Sequence, residues 1–411
     1  MKDYTKNSVA VSPTQSSERI EGLDVLRGFA LYGVFLTNAF ISSRPMGEAM
    51  RRPPADSSEL IGPWWSETLA WGFFDGFLVM KFVTLFSLLF GMGLVLQNQR
   101  AAAAGIPFRK IYLRRLGLLA GIGIFHGFLL FEGDILLVYA FVGGLLFLFR
   151  NQSPRNLVWI AMIPLAIGFL LTLMWATIGV DMFEGGDTDG FGTAATTARR
   201  TGSLSQVIAQ RPFEYIGWLV ISSFISFNWR VVALFFLGAA IMKKGLLEAR
   251  HMALHRRLSW IGLGVGGGLE LFGIAVSLFI DSPSVPWKVA TDLGEEIGSL
   301  LLSMGYAGTI LWAVHGGYFR RLQRGLAAIG RTALTNYLLQ SIAMNLIFMA
   351  FGLGLYEKLS RAEVLVWISL VFAAQVFASQ LWMHRFSMGP CEWLWRRLTY
   401  PGPLPLRRKA G

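Results

Sequence analysis

The chain has 411 residues, of which 54% are hydrophobic, 14% aromatic and only 15% charged, with a mean hydropathy of +0.51; this excludes an ordinary soluble domain and makes the bilayer the expected solvent. A net charge of +12 raises nucleic acid as a partner, but the basic residues are concentrated between apolar runs, so the charge reads as topological and no nucleic-acid role is expected. The single cysteine, Cys391, excludes an intramolecular disulfide and a thiolate metal site.

Residues 1–20 are polar and read as a disordered cytoplasmic tail. After them, apolar runs recur near 23–41, 69–97, 116–131, 134–149, 157–180, 214–241, 258–280, 294–315, 332–353 and 363–384. A run of roughly 20 residues is enough to cross a hydrocarbon core of about 30 Å as a helix. The pattern predicts an all-α, polytopic transmembrane bundle of about ten spans, since lipid leaves only helices or closed barrels and no barrel-type alternation is present. The segments on the N-terminal side of the spans hold 25 of the 37 Lys and Arg, the opposite side holds 9, and Arg27, Lys81 and Arg230 lie inside runs. That bias predicts both termini in the cytoplasm. The first run lacks a small-residue cleavage pattern and reads as a retained span.

One membrane domain over 21–400 is expected, with outer loops near 42–68 and 181–213 and a basic cytoplasmic tail at 401–411. The second loop opens with Asp181, Glu184, Asp187 and Asp189 among glycines. It lacks the closing Glu of a calcium loop and reads as solvated. Gly262, Gly264 and Gly267 match G-x-G-x-x-G formally, but without a preceding strand they read as small residues for close helix packing, through Gly262/Gly266 and Gly264/Gly268. His251 and His255 lack the Glu of a zinc protease and read as solvated, so no metal site is expected.

Ionisable groups inside a membrane are functional candidates by default. His126 near the end of the third run, and Glu132 and Asp134 in the turn that follows, can fold together across a two-helix hairpin. A histidine oriented by a carboxylate is a general base; the alternative is a helix end in which Asp134 caps the next helix and His126 bonds a carbonyl. Asn38 is either an oxyanion donor or a helix cap. At the other lip, Asp24 with Arg27 and Glu392 with Arg396 have pairing spacings, which allow a clasp between chain ends or a gate for a phosphate-bearing donor. Thr332, Asn336 and Gln340 form a stripe beside Arg331, open to interhelical bonding or to a substrate path. Lys81, Arg230 and Glu270 need buried partners or line a path.

Five segments in chain order carry a resemblance. They are Leu23-Asp24-Val25-Leu26-Arg27-Gly28-Phe29-Ala30 with Thr37-Asn38; Lys81 to Gly91; His126-Gly127 with Gly133-Asp134-Ile135-Leu136; Gly330 to Gln340; and Gly389-Pro390 with Glu392-Trp393-Leu394-Trp395-Arg396. Together they resemble the YeiB family, bacterial inner-membrane proteins with a domain of unknown function. The Leu-Arg-Gly opening is also similar to that of a wider transmembrane acyltransferase superfamily, which moves an acyl group from cytoplasmic acyl-coenzyme A to an acceptor across the membrane through an embedded histidine. The resemblance implies location in the bacterial inner membrane and His126 as that base, although the superfamily's histidine motif itself is not matched here.

The expectation is therefore acyl transfer to a hydroxyl or amine of a sugar, lipid or small molecule at the outer face. His126, Asp134, Glu132 and Asn38 would perform the chemistry, and Asp24, Arg27, Lys81, Arg331, Asn336, Gln340, Glu392 and Arg396 would bind donor or substrate. No tightly bound cofactor is expected, acyl-coenzyme A being a substrate and membrane lipids the surroundings. A transporter or flippase of a small amphiphile and a non-catalytic scaffold are the competing readings.

Overall fold

The computed structural model describes residues 21–54, 60–103, 105, 107–178, 192–280, 283–400 and 404–407. Helices run in the order α1 (Glu21–Ser42), α2 (Met46–Met50), α3 (Trp64–Phe77), α4 (Lys81–Ala103), α5 (Phe108–Leu129), α6 (Leu136–Leu148), α7 (Pro154–Ile178), α8 (Gly192–Thr201), α9 (Leu204–Phe224) and α10 (Ser226–Lys243). They continue with α11 (Met252–Ile261), α12 (Gly267–Phe279), α13 (Val285–Gly316), α14 (Arg320–Arg331), α15 (Ala333–Phe348), α16 (Arg361–Arg385) and α17 (Pro390–Thr399). Among the described residues the one extended pairing is a bridge between Phe386 and Arg407. Seven helical stretches are long and apolar enough to cross a membrane, and α6 and α15 are shorter apolar helices beside them, so the chain is a multi-pass helical membrane protein.

Local chemistry sets the boundaries. Ser203 and Ser360 close capping boxes with Gln206 and Glu363 at the starts of α9 and α16, satisfying amides that have no partner within the helix. Gly317, at φ 72°, ends α13 in a left-handed turn that glycine adopts at little cost.

Several expected runs are interrupted. The run at 69–97 is two helices, broken at Leu78–Met80 with Met80 at φ 65°. The Lys81 ammonium reaches back across the break to the Asp75 carbonyl, 2.8 Å away, which satisfies an acceptor the break would otherwise leave unmade. The run at 258–280 contains a π-helical turn at Gly262–Gly266. The 181–213 segment is not wholly a loop, because it holds α8 and the first turns of α9. Its acidic opening, the N-terminal tail and most of the C-terminal tail lie outside the described residues.

Two helix crossings explain motif glycines. A Cβ on Gly28 would sit 2.0 Å from the Leu326 carbonyl oxygen, and one on Gly330 would sit 2.0 Å from that of Asp24, so α1 and α14 touch backbone to backbone. Gly91 and Gly238 make the same reciprocal approach between α4 and α10, against Phe235 and Leu88. Such contacts drive association in lipid, where apolar transfer supplies little. Gly28→Leu is expected to cost more than about 3 kcal/mol, because backbone on the facing helix cannot yield as a side chain can. Gly121→Leu, at a position with nothing within 4 Å, is expected to be neutral; detergent melting of the two variants checks the contrast.

Candidate functional site

A cavity of about 1580 Å³ runs through the bundle between α1, α4, α5, α6, α9 and α15. One end is basic: Arg27, Arg100, Arg115, Arg331 and Arg396 line it against Asp24 and Glu392, a surplus of three positive charges. The middle is apolar, walled by Val34, Val83, Phe86, Phe90, Leu136 and Tyr337. Glu132, Arg199 and Glu214 line the opposite end. This charged, apolar, charged succession matches an amphiphile with an anionic head.

At the basic end, Asp24 Oδ1 accepts from Arg27 at 3.1 Å and Oδ2 from Arg331 at 3.3 Å. The clasp between chain ends expected from Glu392 and Arg396 takes another form. Glu392 caps α15, accepting from the Leu334 and Thr335 amides at 2.5 and 3.2 Å and from the Thr335 hydroxyl at 2.6 Å. Burial pushes its carboxyl up from the usual range, and the Thr335 hydroxyl and these amides pull it back. Arg396 is left to the cavity; burial lowers its pKa, and the neighbouring Arg27 and Arg100 lower it further. The Arg115 guanidinium stacks 3.7 Å from the centre of the Trp395 ring, whose indole N–H donates to the Arg115 carbonyl at 3.1 Å, so α17 braces this end against α5.

Behind the far half of the cavity lies a fully buried relay. His126 Nδ1 is 2.8 Å from Asp134 Oδ1, and His126 Nε2 is 2.7 Å from Ser341 Oγ. Asp134 Oδ2 accepts from the Leu137 amide at 3.1 Å and from the Tyr215 hydroxyl at 3.2 Å. The expected hairpin contact is present, and the capping alternative is present with it: one carboxylate oxygen orients the histidine while the other caps α6. The arrangement has the carboxylate, imidazole and hydroxyl of a nucleophilic triad. None of the three side chains lines the cavity, but Gly133, Ile135, Leu136 and Tyr337 around them do. The Tyr337 ring centroid is 4.7 Å from that of His126. Ser341 continues the face of α15 on which Leu334 and Tyr337 meet the cavity, at i, i+3 and i+7 spacing.

Other candidates sit differently from their expected places. Glu132 turns away from His126 and joins Arg199 at 2.9 Å and Arg211, two guanidiniums that pair strongly with a carboxylate. Asn38 lines the cavity on α1. Lys81 is not a cavity residue; it pairs with Glu270 at 2.9 Å on the other side of α4. Asn336 and Gln340 also turn from the cavity toward α16, where Asn336 donates to Ser379 at 3.0 Å and Gln340 to Gln375 at 3.1 Å. A four-residue stripe faces one neighbour, and here that neighbour is a helix. His255 is buried instead of solvated, bonded to the Leu246 carbonyl at 2.8 Å and stacked on His315. Among the described residues, no three or more His, Cys, Asp or Glu side chains are grouped so as to hold a metal ion.

Sequence reasoning missed Ser341, Tyr215 and the cavity arginines Arg100 and Arg115. A lone serine in an apolar helix carries no periodic signal, and nothing in the sequence pairs it with a histidine 215 positions away.

Residues 241–402 match the family model described as "Protein of unknown function (DUF418)". The chain is 32% identical to a Bacillus subtilis relative named "Uncharacterized protein YxaH", covering 98% of this chain and 99% of the relative. It is 28% identical to the Escherichia coli "Uncharacterized protein YeiB", over 93% and 96% of the two chains. Similarity from end to end at this level, with the matching family model over the C-terminal part, places the chain in the YeiB-type, DUF418 family of membrane proteins of unknown function.

Proposed function

We propose that the protein is a membrane-embedded acyltransferase that takes an acyl group from an anionic donor at the basic end of the cavity and delivers it to a hydroxyl or amine at the opposite end. The relay of Asp134, His126 and Ser341 behind the cavity wall carries this reading, since those groups at 2.7–2.8 Å suit acyl transfer. Acyl-coenzyme A fits the donor end: phosphates against Arg27, Arg331 and Arg396, and an acyl chain along Phe86, Phe90 and Val83.

In this mechanism Ser341 Oγ attacks the thioester carbonyl as His126 Nε2 takes its proton. The C–S bond breaks, and the thiolate leaves with that proton. The acceptor then attacks the acyl-serine, losing its proton to His126, and Ser341 Oγ recovers it as the ester opens. Asp134 holds the imidazole in the required tautomer and stabilises the imidazolium. Tyr337 must swing aside to open the relay to the cavity. With both termini in the cytoplasm of a bacterial inner membrane, the donor would bind on the cytoplasmic side and the acceptor, a sugar, lipid or small molecule, at the outer face.

The test is binding of acyl-coenzyme A to the purified protein in nanodiscs, read by thermal shift. Saturating donor is expected to stabilise the protein by about 2.7 kcal/mol at a hundredfold excess over Kd. Arg396→Ala should abolish that shift and Ser341→Ala should keep it. Intact mass after donor incubation without acceptor should show one added acyl group, absent in Ser341→Ala. No shift at millimolar donor overturns the reading.

One observation favours a second reading. The cavity reaches both charged ends and is flanked on α9 by the exposed Phe213, Ile216, Val220 and Ile221, a side entrance suited to moving an amphiphile between leaflets. Donor-independent lipid scrambling in proteoliposomes would support transport over transfer.

A further inference from the structure

On the far side of α4 from the cavity, four carboxylates and two cations converge between transmembrane helices: Asp75 on α3, Lys81 on α4, Arg230 on α10, Glu270 on α12, and Glu295 and Glu296 on α13. Lys81 pairs with Glu270 at 2.9 Å; Arg230 pairs with Glu296 at 3.3 Å and donates to Ser299 at 2.7 Å. These pairs leave Asp75 and Glu295 as surplus acids, which repel each other and Glu270. Full ionisation would leave two net negative charges inside the membrane, where uncompensated charge is unfavourable. Asp292 and Tyr306 also face the group from α13 and add no positive charge.

The acids are held close. Glu270 Oε1 lies 3.1 Å from where a Cβ of Gly298 would be, and Glu295 Oε1 lies 2.5 Å from that of Gly273, so each carboxyl packs over a glycine of the other helix. Glu270 is 1% exposed, and its Oε1 has no hydrogen-bond partner among the described residues. A π-helical turn ends four residues before it, a distortion frequent at functional sites.

We infer that this cluster is a second site, which binds an exchangeable proton between Glu270 and Glu295 and sets the shape of the cavity wall. The proton gives one carboxyl a donor and removes one of the uncompensated charges. The link to the cavity is Lys81, whose ammonium bridges Glu270 and the Asp75 carbonyl across the α3–α4 break. Val79 and Met80 in that break line the cavity, so a change in the Lys81–Glu270 pair is transmitted to the wall. The inference goes beyond acyl transfer and stands without it.

The test is pH-difference infrared spectroscopy of the full chain in nanodiscs. A protonated-carboxyl band that titrates reversibly is expected, lost in Glu270→Gln and kept in Glu48→Gln, whose side chain is exposed. If Glu270→Gln does not fold, Glu295→Gln serves in its place. A band that survives substitution overturns the site. Loss of the band on adding sodium at constant pH overturns the assignment to a proton. In a Cys391→Ser background, the thiol-labelling rate of Val79→Cys should change with the same pH midpoint as the band; a rate independent of pH overturns the coupling.

Discussion

Asp134→Asn is expected to lower acyl transfer by about 10³–10⁴-fold while leaving the protein folded. Asparagine keeps an oxygen for the Leu137 amide, so the cap on α6 survives, but it offers no charge to His126. The imidazole then loses its fixed tautomer, and Ser341 loses its base. His126→Ala and Ser341→Ala should cost at least as much, and combining any two should cost no more than the larger single loss, because groups acting as a unit are not additive. Single-turnover transfer from labelled acyl-coenzyme A measures this. Three variants with full activity would show the relay to be a buried packing feature, and additive losses would show that the three groups do not act together.

The largest stability effect is expected from Glu67→Ala. Glu67 is 1% exposed and accepts from the Arg361 amide at 3.0 Å and from its guanidinium at 2.8 Å, with Arg44 4.0 Å away. Arg361 and Arg44 are themselves almost wholly buried. Removing the carboxylate leaves two buried guanidiniums without its charge, for a cost of about 3–5 kcal/mol. Glu363→Ala, which removes the capping box of the same helix, should cost about 1 kcal/mol. Denaturation in mild detergent compares them; equal effects would mean that water reaches Arg361 once Glu67 is gone.

Much of the architecture was legible in sequence because lipid imposes a strict rule on composition. Long apolar runs must be helices, and their lengths follow from the bilayer, so α1, α7 and α16 lie close to where apolar runs place them. Breaks within runs were not legible. Residues 78–80 are as apolar as their neighbours, and the glycines of 262–266 point to close packing without announcing a change of helix type, so neither a left-handed Met80 nor a π turn is written in the apolar pattern.

Of the site, the local part could be read. His126 and Asp134 are eight residues apart across a hairpin, so chain connectivity alone brings them within reach. Glu132 is as near in sequence, yet Arg199 and Arg211 capture it, and their approach depends on how α8 and α9 dock. Periodicity placed Thr332, Asn336 and Gln340 on one face without identifying what that face meets. Packing against α16 decided that it meets protein and not the cavity.

The sequence by itself determined that this is a helical membrane protein and put His126 and Asp134 within reach of each other across a hairpin, because burial in lipid and short-range connectivity are local constraints. Only the tertiary structure decided that Ser341 completes the relay, that Lys81 and Glu270 belong to a second cluster, and that five arginines from distant segments share one cavity mouth. Those outcomes depend on which helix faces which. Backbone crossings at Gly28 and Gly330, between α1 and α14, and at Gly91 and Gly238, between α4 and α10, fix part of that choice between segments far apart in the chain.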